Sequence, residues 1–190
     1  MRLGRVERPA RRRRRVLAPL AGLAVLAVAV AERLRRGRRQ HSSEGSTRML
    51  EANKAISRRI IEEAFNEGAL EVVDELVGPT YVNHDPSVPD DLIGPEGTKQ
   101  FITGYRAAFP DLRITVEEQL AERDFVATRW TATGTQTGEL LGIGPTGKQA
   151  TVTGLTIDRV ADGKLVESWN NWDTLGMLQQ LGVVPALANA

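Results

Sequence analysis

The feature that most constrains this chain is a change of hydrophobic period at Leu112. Before it, apolar residues recur three and four apart. Ile56, Ile60, Ile61, Ala64 and Phe65 fall on one side of a helix, with Arg59, Glu62 and Glu63 on the other. Gly68 stands where that helix would stop. A shorter helical pattern covers 69–76 and halts at Gly78-Pro79; another runs over 94–109, with Phe101, Ile102, Tyr105 and Phe109 on one stripe. Between them, Tyr81-Val82-Asn83-His84 reads as a brief extended piece entering an Asp85-Pro86 loop. After Leu112 the period is that of strands, over 112–120, 125–137, 149–160 and 164–172. The separators are turn chemistry: Glu122-Arg123-Asp124, Gly144-Pro145-Thr146-Gly147 and Ala161-Asp162-Gly163. A last short helix over 174–181 is closed by Gly182 and Pro185. Helices first and antiparallel strands afterwards predict an α+β domain, its helices packed on one face of a curved antiparallel sheet. Such a sheet wraps its helices into a cone, and pockets form at the mouth.

Charge divides the chain into two objects. Residues 1–48 carry 14 arginines against three glutamates, whereas 49–190 hold 11 basic and 21 acidic residues. The acidic domain has no phosphate-backbone footprint, and no aromatic residue interleaves the basic leader, so nucleic acid is not an expected partner. The leader encloses an uncharged run, 16–31, about 24 Å long as a helix and shorter than the ~30 Å hydrocarbon core. Three readings of it stand: a membrane anchor with snorkelling arginines, a cleaved signal ending at Ala29-Val30-Ala31, or a mispredicted start ahead of Met49. The domain at 49–190 is expected in the cytoplasm, or anchored or exported if the leader is genuine. No cysteine is present, which removes disulfides, thiol catalysis and Cys-ligated metals.

The densest chemistry lies in the last strand, Ser168-Trp169-Asn170-Asn171-Trp172-Asp173. Alternation lets Trp169, Asn171 and Asp173 share a face. An acid on an apolar wall becomes harder to ionise and so usable as a general acid or base near neutral pH. Asp173 is equally well placed to cap the helix that follows. His84, the domain's single histidine, is a candidate acid, base or hydrogen-bond donor, but with Asp85 alone beside it cannot complete a metal site. Tyr81, Tyr105, Phe109 and Trp172 either line an aromatic slot or fill the core, and Arg129 either faces solvent or pairs with a carboxylate. Gly142 to Lys148 fits the glycine spacing of a phosphate-binding loop. Gln149 replaces the required Ser or Thr and strands flank it, so it reads as a hairpin turn.

Taken together the landmarks resemble the SnoaL-like polyketide cyclase, or ester cyclase, family of the nuclear-transport-factor-like fold. They are Asn53-Lys54, Tyr81-x-x-His84-x-Pro86, Gly94-Pro95-Glu96-Gly97, Phe109-Pro110-Asp111, Gly134-Thr135-x-x-Gly138, Pro145-Thr146-Gly147-Lys148, Asp162-Gly163-Lys164, Glu167-x-Trp169, Asp173 and Gln180-Leu181-Gly182. The resemblance spans about 50–184. It implies a cofactor-free intramolecular aldol closure, or a related isomerisation, on a polyketide-like ester, and a homodimer formed through the outer sheet face. It also implies that Asp173 is the acid/base, with His84, Asn171 or an indole N–H as donors to the enolate oxygen. Trp169, Trp172, Tyr81, Tyr105, Phe109, Arg129 and Gln136 are then substrate-side residues for a small hydrophobic or aromatic substrate. The chain departs from the pattern at Gln136, where many relatives have His, and at Leu155-Thr156-Ile157, where the cyclases carry one. Two other functions fit the same fold: a non-catalytic small-molecule-binding domain, and an epoxide-hydrolase-like enzyme in which Arg129 bridges carboxylates.

Overall fold

In the computed structural model the described residues are 44–88, 91–140 and 142–185. Contacts divide the chain into Met1–Gly45 and Ser46–Ala190. The anchor, signal and start readings of the leader fall outside the described residues.

Helix α1 covers residues 44–59 and continues as a π-helical stretch, Ile60–Glu67. It ends as its sequence dictates, with Gly68 left-handed at φ 79°. Two carbonyls of its last turn are satisfied from a distance, since Arg106 Nη1 donates to Phe65 O at 2.5 Å and to Asn66 O at 2.9 Å. Asn66 in turn clamps the helix to the sheet, accepting from Ile114 N at 2.7 Å and donating to Ile114 O at 2.8 Å. Next come α2 (Glu71–Leu76), β1 (Val77–His84), β2 (Leu92–Ile93) and α3 (Gly94–Ala108). The strands β3 (Arg113–Glu122), β4 (Phe125–Thr135), β5 (Gln149–Ala161) and β6 (Lys164–Trp172) follow, then α4 (Thr174–Leu181).

The sheet has six strands in the order β2-β1-β6-β5-β4-β3. Beyond the four strands read from the period, the extended piece at Tyr81–His84 lengthens into β1, and β2 is added beside it. Gly78-Pro79 does not terminate the chain's local structure; it lies within β1, at the register shift between Val77 and Val82, where a residue without an N–H is tolerated. β1 runs parallel to β6, in an otherwise antiparallel sheet. The connection from β5 to β6 is a tight turn with Asp162 and Gly163 both at positive φ, the geometry that follows the natural strand twist.

One face of the sheet packs on the helices in two apolar clusters. Ile60, Ala64, Val73, Leu76, Tyr81, Ile102 and Val126 form the first, and Phe109, Ala132, Val152, Met177 and Leu181 the second. The strand period assigns the faces in β5: Ala150, Val152, Asp158 and Val160 are buried, while Thr151, Thr153, Leu155 and Ile157 are exposed. The curved α+β architecture is the one the sequence implies.

Candidate functional site

A cavity of about 150 Å³ lies between the helices and the inner sheet face, bordered by residues of both apolar clusters. That is room for on the order of ten waters, the space of a small organic molecule. Phe65, Phe101, Phe109, Leu112, Trp130 and Trp172 give it largely apolar walls. Gly154 makes one wall possible. It pairs with Trp130 across β4 and β5, and a Cβ there would fall 2.2 Å from the indole ring.

Polar groups enter the cavity from two adjacent inward rungs of the β5–β6 ladder. Asp158 pairs with Ser168, and Thr156 with Asn170. Ser168 Oγ donates to Asp158 Oδ1 at 2.5 Å. Burial pushes the Asp158 carboxyl above the usual carboxylate range, and the Ser168 bond offsets part of that by favouring the charged form. The buried Ser57 hydroxyl acts in the same direction without the alignment of a full hydrogen bond. Tyr81, also on the wall, is raised by its own burial and then by the Asp158 charge. Tyr105 is pushed up to about 12, again chiefly by burial.

The residues singled out from sequence separate into two groups. Tyr81, Tyr105, Phe109 and Trp172 line the cavity. Trp169, Asn171, Asp173, His84, Arg129 and Gln136 do not. Trp169, Asn171 and Asp173 do share the parity expected of them, but the cavity belongs to the opposite one, with Ser168, Asn170 and Trp172. Asp173 is exposed and caps α4, its Oδ1 accepting from Gly176 N at 2.8 Å. His84 stacks on Trp169 at 5.6 Å and bridges Asp91 at 3.1 Å and Glu167 at 3.2 Å. The Glu167 contact is the main cause of its raised pKa, and His84 likewise holds Glu167 low, with help from Arg159. Arg129 is exposed, 3.9 Å from Glu118, and among the described residues bridges no second carboxylate of the kind a hydrolytic site would need. Gln136 is wholly buried, with its amide spent on a loop. Nε2 donates to the Ile143 and Gly144 carbonyls, and Oε1 accepts from Thr146 Oγ1 at 2.8 Å. The Gly142 to Lys148 segment is therefore a pinned connection between β4 and β5, as the flanking strands imply.

Sequence reasoning passed over Asp158, Asp85, Asn83, Asn170 and Thr156, all of them on the cavity wall. Asp85 is buried, and its Oδ1 accepts from both the N–H and the hydroxyl of Ser87, at 2.8 and 2.7 Å. Val152 and Val160, an even number of positions from Asp158 and so in phase with it, were the available signal that this face of β5 is the inner one. Leu155 and Ile157 on the other face carried the opposite message, and they stand exposed at 44% and 38%.

An α+β fold with a curved sheet over its helices and a largely apolar cavity is of the nuclear-transport-factor-like class. A model of the SnoaL-like polyketide cyclase family matches residues 55–181, and the chain belongs to that family. Nogalonic acid methyl ester cyclase of Streptomyces nogalater is 30% identical over 120 residues, which are 63% of this chain and 90% of that protein. Aklanonic acid methyl ester cyclase DnrD of Streptomyces peucetius is 29% identical over 133 residues, 67% of this chain and 88% of its own. Among solved structures, TsrD of Streptomyces laurentii is similar with a TM-score of 0.64 and 28% identity, covering 70% of this chain and 97% of that one. IdmH of Streptomyces antibioticus is similar at 0.59 and 36%, covering 68% and 98%.

Proposed function

We propose that this protein is a cyclase-type acid/base enzyme that takes a small, largely apolar keto ester of polyketide kind into the cavity and moves a proton with Asp158. The observation that carries this reading is the buried Asp158 carboxyl on the wall of an apolar cavity. A proton between two carbonyls is acidic enough for a carboxylate to remove, and a site that disfavours the carboxylate's charge makes it a stronger base once ionised. Ser168 and Ser57 keep the ionised form within reach. After enolisation, the carboxylic acid returns its proton to the new alkoxide or to carbon, so ring closure and isomerisation share the same first step. The ester cyclase activity of the two Streptomyces relatives and the family membership support the substrate class.

The test follows α-proton exchange in deuterated water by NMR, with the full chain and a panel of β-keto esters, aromatic polyketide esters and ketosteroids. Exchange above buffer in the wild type that falls at least 100-fold in Asp158→Asn is the expected result, a factor within the usual range for loss of a general base. Exchange that survives in Asp158→Asn moves the base elsewhere. No exchange with any compound favours a binding domain of the same fold.

A further inference from the structure

Beside Asp158, a directed chain of hydrogen bonds crosses the same wall. Trp130 Nε1 donates to Thr156 Oγ1 at 3.0 Å, Thr156 donates to Asn170 Oδ1 at 2.5 Å, and Asn170 Nδ2 donates to Asn83 Oδ1 at 2.5 Å. The direction starts at Trp130, because an indole N–H can only donate. The hydroxyl passes its single hydrogen onward, which turns the Asn170 oxygen toward Thr156 and its amide nitrogen toward Asn83. Each amide oxygen in the chain is thereby occupied. What remains is donor capacity: among the hydrogen bonds of the described residues Asn170 Nδ2 makes only the one to Asn83, and Asn83 Nδ2 donates none. Asn83 is 5% exposed and Asn170 is half-buried, and both line the cavity.

We propose that the Asn83 and Asn170 amides form an oxyanion subsite that receives the enolate oxygen of a planar 1,3-dicarbonyl substrate, with Asp158 addressing the carbon between the carbonyls. The proposal rests on the proton-transfer reading for its reaction, and on the hydrogen-bond chain for its geometry. In the step it serves, the C–H bond breaks and the proton forms an O–H bond with Asp158. The electron pair moves through carbon onto the carbonyl oxygen, and the two amides donate hydrogen bonds to it while keeping their own protons. The spacing suits this division. Asp158 and Thr156 are two residues apart on β5, about 7 Å along a strand. Two polar contacts of about 3 Å at the ends of a C–C–O unit span a comparable distance. Fixed donors in a site screened from water stabilise developing negative charge without reorganising. A donor-only subsite selects a carbonyl or oxyanion over a cation, and the Trp130 and Trp172 rings select a flat ring system.

The probe is 2-naphthol, whose neutral and anionic forms differ in fluorescence and need no turnover. It is titrated against pH on full-length Asp158→Asn, which removes the competing charge at the base. The anion is expected to bind at least 10-fold more tightly than the neutral form, seen as a matching fall in the bound probe's ionisation midpoint. Asn83→Leu in that background should abolish the preference. Asn170→Asp, which is isosteric and guards against a folding defect in the leucine variant, should reverse it. Trp130→Phe should weaken it by releasing the head of the chain. Equal binding of the two forms, or a preference indifferent to both asparagine substitutions, overturns the subsite. Anion preference in a protein whose wild type exchanges no α-protons leaves the subsite standing and removes the proton-transfer reading; exchange without anion preference does the reverse.

Discussion

Asp158 meets Ser168 across the β5–β6 ladder, and the two side chains are joined by a 2.5 Å hydrogen bond on the face that lines the cavity. Ser168 is 1% exposed and Asp158 is 6% exposed. The pair is thus a carboxyl whose ionisation the fold resists and whose charged form one hydroxyl partly stabilises.

That balance makes activity and stability move oppositely with pH. The folded-state pKa of Asp158 lies above its unfolded value, so its contribution to stability is fully present below about 3.8 and is lost as pH rises through the folded pKa. The ionised base is the active form, so α-proton exchange should climb over the same interval toward a plateau. Denaturant melts across pH, compared for the wild type and Asp158→Asn, should show the variant gaining relative stability as pH rises. A variant that loses relative stability with rising pH removes the buried-acid account.

Gly154→Ala should damage the cavity wall by displacing the Trp130 ring. The new Cβ would stand 2.2 Å from the Trp130 ring, which must move or force the strands apart. Overpacking of this kind costs about 1–3 kcal/mol. Denaturant unfolding measures the cost, and near-ultraviolet dichroism should report a changed tryptophan environment. Unchanged spectra and stability would place the Trp130 ring elsewhere.

Asp173→Ala separates a helix cap from a catalytic acid. Its side chain satisfies the Gly176 N–H at the start of α4, and loss of such a cap costs about 1 kcal/mol. The expected variant is slightly less stable and keeps its α-proton exchange within about threefold, since Asp173 lies off the cavity. Loss of exchange in a folded Asp173→Ala protein would return the acid/base role to this residue.

His84 and Glu167 form an exposed pair whose effect is confined to a pH window. The raised His84 pKa means a stabilising contribution present below about 6.5 and lost as pH rises through the folded value. The lowered Glu167 pKa means a contribution present above about 4.5 and lost as pH falls through its folded value. His84→Gln should therefore lower stability between those limits and leave it unaltered at alkaline pH, with the size kept small by solvent screening. Thermal melts at three pH values read this directly, and α-proton exchange should not respond.

The elements were legible from sequence because they depend on local chemistry. The 164–172 strand and the 174–181 helix form with those bounds, since Asp162-Gly163 fixes the turn before one and Asp173 and Gly182 cap the other. The sequence leaves Tyr81, Tyr105, Phe109 and Trp172 between core and aromatic slot; they border the cavity, Tyr81 and Phe109 as members of the apolar clusters too.

What sequence alone could not decide was which parity of each strand faces inward. Along β6 the period of two groups Trp169 with Asn171 and Asp173, and Ser168 with Asn170 and Trp172, but each group contains one indole and one amide. Along β5 the more apolar pair, Leu155 and Ile157, lies outside, while Asp158 is buried on the inner face. β6 sits between β1 and β5, and a register shift between Arg159 and Val160 sets the phase in which β5 and β6 meet. Local propensity is identical for the two phases; only packing of the helices on one sheet face chooses between them, and that choice put Asp158 rather than Asp173 on the cavity wall.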